Sequence, residues 1–269
     1  MQALEELGIT EPSEIDVEAI AFHYGAEVRY TTVDGCEASI FGYKDRAIVS
    51  VNKYASRPRQ RFSVGHELGH WMRDRGKSLL AGCASTDMDK AWNQEQKTSE
   101  TSANEYAANL LLPRHMFGPR AKDLPITLEA TSSLAAEFQT SLTATAIRLV
   151  TLGTHMGIVS CFERQGRCWF YRHPELPKSL WFTKKVVDGT KAFDVLYRGK
   201  SDATGDVDAD CWIDHKHAGQ FVIHEEAIDV AKGVVLSLLW WKDSAQITKA
   251  MDDEDDGEEM DDAYSRFYR

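Results

Sequence analysis

His66-Glu67-Leu68-Gly69-His70 places two imidazoles four residues apart, with a carboxylate between them. On a helix, residues i and i+4 lie one turn apart on the same face, so both rings can reach one ion. Imidazole and carboxylate suit zinc, and a catalytic zinc usually takes three protein ligands and keeps a fourth position for water. Glu67 sits about 100° around the helix from His66, which makes it a poor ligand. It suits a base instead: beside a metal-acidified water it can take a proton as that water attacks a carbonyl, then pass it to the leaving amine. The third ligand must come from elsewhere, and the downstream candidates are Asp74, Asp87, Asp89, Glu95, Glu100, Glu105 and His115. Asp74 would face the ion only on an undistorted helix. Glu100 shares a stripe with Ala103, Ala107 and Leu111, whereas Glu105 falls on its flank, so the chemistry tilts toward Glu100. Gly65 and Gly69 flank the histidines at some cost in helix propensity, as expected where another element or a substrate comes close.

The elements that must position these groups follow from the pattern around them. "PSEIDVEAIAFHYG" spaces Ile15, Val17, Ile20, Ala21 and Tyr24 as a first helix ending at Gly25. "AEVRYTTV", "CEASIFGY" and "RAIVSVN" are short β-branched runs separated by turn residues, which predicts a small antiparallel sheet. The motif helix runs from Pro58 to a stop at Gly76, residues 77–97 read as a loop, and 99–113 as a second helix closed by Pro113, with Glu100 in its first turn. Segment 124–153 gives two or three short helices in a helix-turn-helix-like pattern, with Ser132 and Ser141 as N-caps. Beyond Gly153, a hairpin around Gln165-Gly166 and strands "FDVLYR", "DADCWIDH" and "QFVIH" lead to a final helix over "EEAIDVAKGVVLSLLWWKD".

The net charge is −11, of which −7 lies in residues 251–269. A chain so acidic argues against direct DNA binding, which draws on clustered Lys and Arg. Segment 124–153 carries only Glu129, Glu137 and Arg148, too little to hold a recognition helix on phosphates, so packing or protein binding is the reading there. Five cysteines without a CxxC do not make a disulfide framework, and Cys161 and Cys168, facing across their hairpin, read as buried small hydrophobes. The first residues lack the basic and apolar regions of a signal peptide, and "GVVLSLLWW" is too short to cross a bilayer. The expectation is a cytoplasmic protein with no membrane contact. His115 and Tyr106 could donate to an oxyanion, although a structural role is the commoner one for such positions, and His215 and His217 fit a solvated strand end.

"RQRFSVGHELGHW" followed by "ETSANEYAANLLLP" resembles the ImmA/IrrE family of bacterial metallopeptidase-like proteins. Its members carry an HExxH helix introduced by an Arg-Phe pair, then Glu-x-x-Ala-Asn-x-Phe-Ala-x-x-Leu-Leu-x-Pro. Here that second pattern is Glu100, Ala103, Asn104, Tyr106, Ala107, Leu110, Leu111 and Pro113, with Tyr106 replacing the usual Phe. Ser102 stands where many relatives have a second glutamate. The resemblance implies His66, His70 and Glu100 as metal ligands, Glu67 as general base, and zinc as cofactor, with manganese or iron as cellular alternatives. It implies an α+β protein: a mainly helical, zincin-like metallopeptidase domain with a small antiparallel sheet over 1–122 and a helix-turn-helix-like segment over 123–153. A C-terminal mixed α/β domain, GAF-like by analogy, would span 154–242, with an acidic disordered tail over 243–269. The implied function is metallo-endopeptidase cleavage of a helix-turn-helix (XRE-type) transcriptional repressor, derepressing stress-response or mobile-element genes. The rival is a regulatory binding protein that sequesters such a repressor without cutting, a protein that would have no need of Glu67.

Overall fold

The computed structural model describes residues 2–33, 35–75, 79–84, 94–177, 180–215 and 218–243, and for Gln2, 79–84 and 94–98 the backbone alone. The acidic tail beyond Asp243, Gly76, Asp87, Asp89 and His217 lie outside the described residues. The chain divides into two units: Met1–Lys122 with Glu129–Leu152, and Asp123–Leu128 with Gly153–Arg269.

In the first unit, helix α1 (Gln2–Glu6) and a 3-10 turn precede α2 (Val17–His23), whose start is capped by the Asp16 carboxylate accepting from Ala19 N at 2.9 Å. Strands β1 (Ala26–Thr31), β2 (Cys36–Tyr43) and β3 (Arg46–Asn52) coincide with the three β-branched runs. Gly25 joins α2 to β1 at φ +83°, where a Cβ would sit 2.5 Å from the Asp45 carbonyl oxygen. The sheet is not all antiparallel. Its order is β1-β3-β2-β4, with β1 and β3 parallel and β2 antiparallel to both neighbours. The Lys44-Asp45 turn makes the expected β2–β3 hairpin, and that hairpin folds β3 into the slot beside β1, so β1 and β2, though adjacent in sequence, do not pair with each other. The fourth strand, β4 (Leu79–Ala84), occupies part of the span read as a loop and pairs along β2.

Helix α3 (Arg57–Asp74) carries the HExxH motif and buries Val64, Leu68 and Trp71 completely, with the Trp71 indole donating to Tyr24 O at 2.8 Å. Helix α4 (Gln94–Leu111) begins five residues before the expected start, so Glu100 lies in its second turn. Pro113 closes α4 and opens α5 (Arg114–Ala121), which buries Met116 and Phe117. Next come α6 (Leu128–Phe138) and α7 (Leu142–Leu152), joined by residues 139–141. The Ser141 hydroxyl caps α7 by accepting from Ala144 N at 3.2 Å, while Ser132 lies inside α6 and is not a cap. Arg148, the single cation of this segment, is turned inward. Its guanidinium donates to Leu112 O at 2.8 Å and to Asn109 Oδ1 at 2.7 Å, gripping the end of α4.

The second unit is built on a five-stranded antiparallel sheet of order β6-β5-β11-β10-β8, from β5 (Gly157–Glu163), β6 (Gly166–Arg172), β8 (Asp202–Asp208), β10 (Val222–Ala231) and β11 (Val234–Trp240). Two-residue strands β7 (Trp181–Phe182) and β9 (Ile213–Asp214) form a separate ladder. The hairpin before Gly166 is present. "FDVLYR", however, belongs to a helix, α8 (Lys191–Arg198): Thr190 caps its start, Gly199 at φ 75° ends it, and Ala192, Val195 and Leu196 form its buried face. The "DADCWIDH" strand is also displaced: β8 ends at Asp208, and a 3-10 turn (Ala209–Cys211) precedes β9. The expected final helix is the β10–β11 hairpin, turning at Gly233 (φ +79°). Ile223, Glu225 and Ala227 alternate inward on β10, a period of two, and β11 is buried on both faces. Among the described residues no helix is long and apolar enough to cross a membrane.

Candidate metal centre

The site is made where α3 meets α4, and small residues allow the meeting. A Cβ on Gly65 would lie 3.3 Å from the Cα and Cβ of Ala107, and one on Gly69 would lie 3.0 Å from Ala103 Cα and 3.1 Å from Tyr106 Cβ. Glycine on α3 facing alanine on α4 therefore brings the two backbones closer than larger residues permit. Each helix then contributes a pair one turn apart: His66 and His70 from α3, Glu100 and Asn104 from α4.

His66 Nε2 and His70 Nε2 are 3.1 Å apart, and the Glu100 carboxylate lies 3.2 Å from each, through Oε2 to His66 and Oε1 to His70. Donors arranged tetrahedrally around zinc at about 2.0–2.1 Å would be roughly 3.3–3.4 Å from one another, so this triangle is already near the size of a metal site. Two imidazole nitrogens and a carboxylate converging this closely make a ready seat for a cation. Burial holds His70 below the ordinary imidazole value, with Glu100 opposing and His66 adding to the depression, which favours the neutral ring that a metal needs.

The far sides of the rings are also held. With Nε2 turned to the cluster, His66 Nδ1–H donates to Asn104 Oδ1 at 2.9 Å and His70 Nδ1–H faces Ser99 Oγ at 3.4 Å. Such partners fix tautomer and ring orientation. The sequence pattern assigns neither a role, although Asn104 follows Glu100 by one turn, the same spacing that marks the histidine pair. Phe62 lies against His66 at 6.3 Å between centroids. Glu67 is completely buried on the same helix.

Asp87, Asp89 and the Glu95 side chain lie outside the described residues, and the other described candidates fall away from this cluster. Asp74 is engaged by Arg73 Nε at 2.9 Å, Glu105 is exposed on the flank of α4, and His115 is exposed on α5. The Tyr106 hydroxyl is buried in a setting where burial, then Glu6, pushes it up to about 12, which makes it a core phenol. His66, His70 and Glu100 are the group among the described residues whose ligand atoms can close on one metal ion.

Residues 21–150 match the family model described as the IrrE N-terminal-like domain, peptidase M78. A solved Mycobacterium tuberculosis transcriptional regulator has a similar fold, with a TM-score of 0.58 at 12% identity, covering 91% of this chain and 76% of that one. No curated protein matches the chain in sequence. The helix-borne pairs around a His, His, Glu triangle lie within the matched span, so the match of residues 21–150 to the IrrE N-terminal-like, peptidase M78 (ImmA/IrrE) family takes in the whole candidate metal centre.

Proposed function

We propose that the chain is a metal-dependent endopeptidase, with zinc as the ion its donor set suits, acting in the cytoplasm on a helix-turn-helix (XRE-type) repressor. Cutting that repressor would release stress-response or mobile-element genes. The observation that carries the reading is the convergence of His66, His70 and Glu100 within 3.2 Å of one another, beside a buried Glu67 on the same helix. A bound divalent ion supplies Lewis acidity to a carbonyl and acidifies a water. The chain's own residues do the rest. His66, His70 and Glu100 hold the ion, Asn104 and Ser99 orient the rings, and Glu67 takes the proton of the attacking water and delivers it to the departing amine.

The peptidase M78 family domain, together with a fold shared with a protein titled a transcriptional regulator, supports a regulatory target. The inward turn of Arg148 supports a protein partner over DNA, because the helix-turn-helix-like pair α6–α7 is left without a cation for phosphate. The second unit, an antiparallel sheet carrying α8, is read as the sensing part, GAF-like by analogy.

The complete burial of Glu67 favours a second reading, in which the chain holds its partner without cutting it. One experiment separates the two. Metal-loaded wild type and Glu67→Gln are incubated with helix-turn-helix repressors encoded beside the gene, and the products are mapped by mass spectrometry. Cleavage by wild type, reduced about 10²–10⁴-fold in Glu67→Gln with metal retained, is expected. An intact repressor in a stable complex with the metal-loaded wild type overturns the peptidase reading.

A further inference from the structure

Cys161 on β5 and Cys168 on β6 meet at a β-bulge. The register sets Cys161 opposite Trp169 and Phe162 opposite Arg167, so Cys168 is the extra residue between two paired positions. Cys168 is thus the chain neighbour of Trp169, the residue paired with Cys161, and lies one position off that pair. The two thiols are close enough to interact directly: burial first, and then Cys168 beside it, push Cys161 up to about 12. Their surroundings differ. Cys161 is buried, as the sequence suggested, but Cys168 is exposed and is no buried hydrophobe. It opens into a groove of about 300 Å³ lined by Glu163, Gln165, Arg167, Lys184 and Lys185. Arg167 is fixed there, its side chain donating to Phe182 O at 3.1 Å and Thr183 O at 3.0 Å.

We propose that Cys161 and Cys168 are a reversible thiol pair oxidised by peroxide, Cys168 being the thiol attacked and Cys161 the one that resolves it. Cys168 Sγ, having given up its proton, attacks one peroxide oxygen. The S–O bond forms as the O–O bond breaks, and the departing hydroxide takes up that proton as water. The groove's three cations stabilise the negative charge on this leaving oxygen. Cys161 Sγ then attacks the Cys168 sulfenic sulfur, the S–S bond forms as S–O breaks, and the Cys161 proton leaves with the hydroxide as a second water. Two thiols lose two electrons and one peroxide becomes two waters. The bond staples the bulge to β5 and fixes the groove beside it. None of this draws on the metal centre, so the pair stands or falls separately from the peptidase reading.

The test uses the full chain. Hydrogen peroxide treatment and alkylation of remaining thiols are followed by trypsin, which cuts after Arg164 and Arg167 and so separates the two cysteines. The expected product is a cross-linked pair of peptides, two hydrogens lighter than their sum, abolished by dithiothreitol and absent from Cys161→Ser and Cys168→Ser. In Cys161→Ser, Cys168 should accumulate as a dimedone-labelled sulfenic acid. Oxidation of wild-type Cys168 straight to sulfinic or sulfonic acid without a cross-link overturns the proposal, as does an unchanged yield of cross-links through Cys36, Cys83 or Cys211 alone. If the buried Cys161→Ser change prevents folding, the exposed Cys168→Ser variant decides the matter.

Discussion

Replacing Gly69 with alanine puts a methyl group where α3 and α4 touch, 3.0 Å from Ala103 Cα, 3.1 Å from Tyr106 Cβ and 3.3 Å from Ala103 O. Ordinary carbon–carbon contact needs about 3.5–4.0 Å, and backbone cannot swing aside as a side chain can, so the helices must separate by roughly 0.5–1 Å. Overpacking of this kind costs about 1–3 kcal/mol, partly offset by the roughly 1 kcal/mol that alanine gains over glycine within a helix. The larger effect falls on the metal. Glu100 travels with α4 while both histidines stay on α3, and a displacement of 0.5–1 Å exceeds the tolerance of about 0.2 Å on metal–ligand distances. We expect metal affinity to fall by about 10–100-fold while much of the fold survives. Gly65→Ala, facing Ala107 at 3.3 Å, should do the same more mildly, and Gly118→Ala, with nothing within 4 Å of the added carbon, should leave affinity unchanged. Competition against a chromogenic chelator gives the dissociation constants, and thermal melting with and without metal gives the stabilities. A Gly69→Ala protein that binds metal as tightly as wild type would refute the idea that helix spacing sets the ligand triangle.

Asn104→Ala removes the acceptor that holds His66 Nδ1–H, and should lower metal affinity about 10–100-fold with little loss of helix content, read by the same competition and by circular dichroism. Because His70 is depressed in the folded chain, mainly by burial, the unfolded state binds more protons as pH drops; its stabilising contribution is present above about 6.5 and is lost as pH falls through the lower folded value. Metal-free wild type should therefore lose melting temperature between pH 8 and 5 more steeply than His70→Asn, and equal slopes would contradict this. In the second unit, Glu225 accepts from Lys191 N, Ala192 N, the Trp212 indole and the Ser237 hydroxyl at 2.9, 2.7, 2.9 and 3.3 Å, while burial holds its carboxyl above the usual range. Glu225→Gln turns an amide NH2 toward donors and should cost about 1–3 kcal/mol in urea unfolding; an unchanged midpoint would count against these bonds.

Local spacing made half of the metal centre readable. The four-residue interval between His66 and His70 fixes a shared face whatever surrounds it, and the Ala103-Ala107-Leu111 stripe picked Glu100 over Glu105. Asn104 stood in the family pattern without a role, because an asparagine on a helix has many uses, and only the approach of α3 shows that its carbonyl meets His66. Strands β2 and β3 stood out through β-branched residues between turn signals. The parallel pairing of β1 with β3 depends on contacts about 20 residues apart, where local pattern is silent. Val234–Trp240 misled for a different reason: it is almost entirely apolar, so it satisfies a period of 3.6 as well as of two, and the turn at Gly233 was the signal to weigh more heavily. For α8, the Thr190 cap lay just upstream of the stretch read as a strand.

Helix α4 is held at three points along its length: Ala103 and Ala107 lie against glycines, and the Leu112 carbonyl and Asn109 side chain at its far end are in the grip of Arg148. A rod so clamped has one soft direction, its own axis, and the rise per residue is about 1.5 Å. Sliding by a single such step would carry Glu100 out of reach of both imidazoles while leaving α4 itself intact. Arg148 thus acts as an end-stop for the seating of Glu100, although the two residues lie 48 positions apart in the sequence.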